Sequence, residues 1–76
     1  MTITERLQQI TEWQPGNTRG EVSKARYFID LEAVALPEEK HLVQAAALEY
    51  TKALGSTEHT QYVWQEARAG LKYKKS

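Results

Sequence analysis

Three interruptions set what this chain can become: QPGN at residues 14–17, Pro37, and Gly55. Proline fixes its own φ, lacks an amide donor and pushes the residue before it out of helical geometry. Glycine readily closes a helix in left-handed backbone. Together they cut 76 residues into four pieces, each of a length that suits one helix. Within the pieces apolar residues recur three and four apart, and none shows sustained apolar–polar alternation. The sequence therefore predicts an all-α fold, a small bundle of about four helices with short connections in a single domain spanning 1–76. The helices are expected at about 3–13, 19–35, 37–54 and 57–73. Short connections favour antiparallel neighbours, so helices three and four should form an antiparallel hairpin.

Each piece carries its own start and stop signals. Thr2 and Glu5 in T-I-T-E form a capping box, ahead of the stripe Ile3, Leu7, Ile10 and Trp13. A second box, T-R-G-E, places Thr18 as the cap of helix two, with Val22, Ala25, Ile29, Ala33 and Leu36 as its stripe, widened by Phe28 and Leu31. Pro37 suits the first turn of helix three, where Glu38 and Glu39 favour the positive end of the dipole. Its inner face reads Leu42, Val43, Ala46, Ala47, Tyr50, Ala53 and Leu54. Gly55 should close that helix, and Ser56 or Thr57 should open helix four. The alanines at 45–47, with Ala67 and Gly70, would let helices three and four approach closely.

Bulk properties narrow the function classes. A chain this short has a core that supplies no more than roughly 3–5 kcal/mol, so association is a natural source of further stability. There is no cysteine, hence no disulfide or thiolate metal site. Ten basic and ten acidic side chains cancel, which argues against tight non-specific binding to nucleic acid. Residues 1–38 carry −2 and the remainder +2, concentrated in RAGLKYKKS. MTITERLQQI is broken by Glu5, Arg6 and two glutamines, unlike the apolar region of a signal peptide, and no run of apolar residues reaches membrane-spanning length. A cytoplasmic location with no membrane partner is expected.

The corner LGSTEHTQYVW invites comparison with a DNA-binding helix-turn-helix over 47–66. Tyr50, Leu54 and Trp64 match its apolar positions, but Ser56 and Gln61 fall where it requires buried aliphatic residues. Thr57, Glu58 and His59 open the would-be recognition helix, and Glu58 would repel phosphates. A capped hairpin corner is the better reading, with His59 exposed near the helix start.

Helix four separates into three stripes. Thr60, Val63, Trp64, Ala67 and Leu71 should be core. Gln61, Gln65, Arg68, Lys72 and Lys75 form a basic stripe without an acid, and Tyr62, Glu66, Ala69 and Tyr73 lie between the two. Such a stripe is usually a solvated face, yet tyrosine beside arginine is also what binding hot spots are made of. Tyr62, Arg68, Lys72, Tyr73 and Lys75 are therefore the candidate partner-binding residues. Trp13 joins them if helix one is loosely docked and Leu7, Ile10 and Trp13 form an exposed strip.

Catalytic patterns are weak. Glu38 and His41 have the Glu-x-x-His spacing of carboxylate-bridged dimetal bundles, which need it twice with two further glutamates, so no metal or cofactor is expected. No nucleophile elbow or phosphate-binding glycine loop occurs. The expected function is that of a small non-enzymatic protein–protein interaction module, an adaptor, inhibitor or regulatory subunit that binds another protein or itself. The alternatives are a DNA-binding regulator using the degenerate helix-turn-helix, and a small structural component of a phage or secretion assembly.

Overall fold

Every helix begins or ends where a side chain or a tightened turn satisfies its free backbone groups. The computed structural model describes residues 2–75, with side chains through Ala69. Helix α1 spans Ile3–Glu12, α2 Thr18–Val34, α3 Lys40–Leu54 and α4 Thr57–Lys75, with a 3-10 turn at Pro37–Glu39 ahead of α3. Among the described residues there is no strand. The fold is a small all-α bundle.

At α1 the expected box forms: the Glu5 amide donates to Thr2 Oγ1 at 3.1 Å and the Thr2 amide to Glu5 Oε1 at 3.2 Å. Helix α2 corrects the second box. Asn17, not Thr18, is the cap, its Oδ1 accepting from the Gly20 amide at 2.8 Å. A β-carbon on Gly20 would lie 2.8 Å from Pro15 Cβ, so this glycine lets the QPGN turn fold back onto the first turn of α2. Pro37 opens a 3-10 turn rather than α3 itself. There the Glu39 and Lys40 amides share the Leu36 carbonyl at 2.8 and 3.1 Å, converting one hydrogen-bond pattern into the other. Gly55 closes α3 at φ +93°, ψ −103°, a positive-φ conformation that glycine alone adopts readily. Ser56 Oγ then accepts from the His59 amide at 3.2 Å and opens α4.

Helix α2 is the centre of the bundle. It touches the other three α-helices and packs most extensively against α4. Its Ala25, Phe28 and Leu31, with Ala35 just beyond, are buried together with Ile10, Val43, Tyr50, Val63 and Ala67. One ring from each of three helices meets at the middle. Phe28 lies 5.5 Å from Tyr50 and 6.4 Å from Trp64, and the latter two are 6.2 Å apart. The indole Nε1 of Trp64 donates to Thr51 Oγ1 at 3.0 Å, which satisfies its polar end.

The stripe expected for α2 is rotated. Ala33 is exposed and so is Leu36, at 56%. Leu36 follows the end of α2 in extended backbone, so helical phase no longer governs where it points. On α3, Leu42 and Ala53 are also exposed. The corner between α3 and α4 is present, but α3 and α4 touch mainly near it, through Thr51 and Trp64, and the close approach through the alanines is not made. Instead α4 runs alongside α2 in the same direction: His59 meets Glu21 and, further on, Trp64 meets Phe28. Helix α1 is docked, with Ile10 4% exposed and Ile3 and Leu7 packed on the core, so Leu7, Ile10 and Trp13 do not form an exposed strip. No described helix is long and apolar enough to cross a membrane.

Candidate functional site

Polar groups within the bundle are used to join helices. Lys24 precedes Ala25 on α2 and is only 6% exposed. Its Nζ donates to the Trp13 carbonyl at 2.8 Å and stands 4.9 Å from the centre of the Tyr50 ring. Helix α1 has no basic residue in its last turn, so Lys24 brings a cation from α2 to that negative dipole end. Burial lowers the pKa of its ammonium group. The Tyr50 hydroxyl donates to the Glu21 carbonyl at 2.8 Å. Burial, then the charge of Glu21, pushes its pKa up to about 12.

His59 is not the exposed residue that its place near the helix start suggests. It is half-buried, with Nε2 2.8 Å from Glu21 Oε1. An ionised carboxylate only accepts, so Nε2 carries the proton. The link ties the first turns of α2 and α4 together. Glu38 and His41 gather no further ligands: among the described residues no three His, Cys, Asp or Glu side chains come together as a metal site.

The candidate binding residues fall on separate surfaces. Tyr62 is 51% exposed on α4 and lines a pocket of about 500 Å³ with Thr18, Arg19, Val22, Ser23 and Arg26 of α2, and Glu66 of its own helix. Arg68 lies on a different flank. It borders a groove of about 590 Å³ where α3 and α4 part over α2, floored by Phe28, Ile29, Ala47 and Trp64. Trp13 is half-buried, edge-on to Tyr27 at 6.2 Å, in a cleft with Arg6, Gln9 and Ile10. These three depressions have no lining residue in common. The side chains of Lys72, Tyr73 and Lys75, and the core position expected of Leu71, lie outside the described residues. Ser56 and Gln61 are both exposed, unlike the buried aliphatic residues a helix-turn-helix places there.

Arg19 and Arg26 were absent from the candidates drawn from the sequence. With Val22 they share one face of α2 at i, i+3 and i+7, so their common face was legible. What the sequence does not carry is that Tyr62 covers its edge. Among the described residues Lys52 faces Glu49 and His59 faces Glu21, and no carboxylate lies within ion-pair distance of either arginine. Arg26 Nε is buried and without a hydrogen-bond partner among them. Comparison with family models, with curated proteins and with solved structures gives no match.

Proposed function

We propose that this chain is a small, cytoplasmic, non-enzymatic protein–protein interaction module, an adaptor, inhibitor or regulatory subunit, and that it binds through the Tyr62 flank of α4. The supporting observation is Tyr62 itself, half exposed on a helix whose inner face is fixed by the fully buried Val63 and Ala67. A tyrosine held this way offers a large amphipathic surface at small entropic cost, and arginine beside it is the usual company of an interface hot spot.

Because Tyr62 and Arg68 lie on different flanks, single substitutions separate them. A pull-down from extract of the source organism compares the native chain with Tyr62→Ala and Arg68→Glu. The expected result is a protein partner that is lost with Tyr62→Ala and retained with Arg68→Glu. Equal recovery by the native chain and Tyr62→Ala would sink the proposal.

A further inference from the structure

We infer that the Tyr62 pocket recognises acidic side chains, so that the partner is a protein segment presenting aspartate or glutamate beside an apolar residue. This rests on the Tyr62 flank being the interaction surface and adds the chemistry of what binds there. The inference starts from two arginines that form no ion pair. Arg19 and Arg26 both line the pocket, and neither forms an ion pair among the described residues. Arg26 is only half-buried, yet its Nε is enclosed with no acceptor. That covered nitrogen is closed to a ligand as well, so what Arg26 offers the pocket is the rest of its guanidinium, where a carboxylate accepts two parallel N–H bonds in a single plane.

The rest of the lining fits the same ligand. Thr18 and Ser23 add hydroxyl donors, and Thr18 lies in the first turn of α2, where free amides and the helix dipole also favour a negative group. Val22 and the Tyr62 ring supply apolar contact for a neighbouring side chain. Glu66 decides against a nucleic-acid strand. It would repel a continuous run of phosphates, whereas an acidic peptide can place one carboxylate between the arginines and turn a leucine or a backbone amide toward Glu66. The chain's zero net charge points the same way, because affinity for nucleic acid depends on neutralising many phosphates.

The test follows the side-chain Nε–H resonance of Arg26 by nuclear magnetic resonance during titration of the full chain. The probes are the acidic hexapeptide amide DLEELD, its neutral counterpart NLQQLN, and a single-stranded oligonucleotide of mixed sequence. The expected result is a saturable shift of the Arg26 Nε–H and of the Tyr62 ring signals with DLEELD alone. Arg19→Glu, at an exposed position, should weaken that binding by about tenfold or more, equivalent to roughly 1.4 kcal/mol. Arg26→Lys, which keeps the charge but not the planar fork, should also weaken it. No shift with DLEELD, an equal response to NLQQLN or to the oligonucleotide, or unchanged affinity in both variants would overturn the inference. A partner that is lost with Tyr62→Ala but bound normally by both arginine variants would remove the acid specificity alone and leave the interaction module standing.

Discussion

Tyr50 concentrates several of the forces that hold the fold, and its ionisation reports on them. Below pH about 10 both the folded and unfolded chains keep the phenol protonated, so its contribution is complete. Its folded pKa is raised to about 12. Between these values the unfolded chain releases the proton first, and stability falls as pH rises. Lys24 acts in the opposite sense: its folded pKa is lowered from 10.5, so the penalty for burying its charge is relieved as pH climbs toward that value. Tyr50→Phe separates the two trends. It should cost about 1 kcal/mol at neutral pH, because the hydrogen bond that joins the Tyr50 hydroxyl to the Glu21 carbonyl is lost, and it should remove the fall above pH 10. Urea unfolding at several alkaline pH values checks this; an unchanged pH profile in Tyr50→Phe would show that another group dominates.

At the scale of the helices, the caps make the sharpest expectations. Asn17→Ala should destabilise the chain by about 1 kcal/mol, while Thr18→Ala should change it by only a few tenths, as measured by thermal unfolding. Equal losses would contradict the assignment of the cap. Gly55→Ala should cost at least about 1 kcal/mol even though nothing lies within 4 Å of the added β-carbon, because the positive φ alone opposes it. Gly55→Asn should lose as much, because asparagine tolerates the αL region but not ψ −103°; stability restored by asparagine would place residue 55 in αL instead. Much of this level was legible in the sequence, since breakers and caps act within a few residues of themselves. The Thr2–Glu5 box, the closing role of Gly55 and the burial of Val63 and Ala67 were all within reach. The cap at Asn17 was missed because Thr18 and Glu21 also satisfy the spacing of a box. Lys24 was missed because pattern alone treats lysine as a surface residue, although its long apolar stem can be buried when its amine meets a carbonyl. The sequence alone makes His59 look exposed because its partner, Glu21, is 38 positions away.

Across the whole molecule, stability should be graded outward from α2. Helix α1 contributes one side chain, Ile10, to the buried cluster, while α2 contributes Ala25, Phe28 and Leu31. Hydrogen exchange followed by mass spectrometry should therefore show residues 3–12 exchanging first and the middle of α2 last. Lys24→Met should accelerate α1 selectively by releasing the Trp13 carbonyl; uniform acceleration of all helices would show that α1 does not open independently. The pairing of α2 with α4 also sets an order of assembly. During synthesis α2 emerges well before Val63 and Ala67, so its largest contact surface stays uncovered while α3 is being made. A chain cut short before Val63 would keep that apolar face open to chaperones, and only α4 withdraws it.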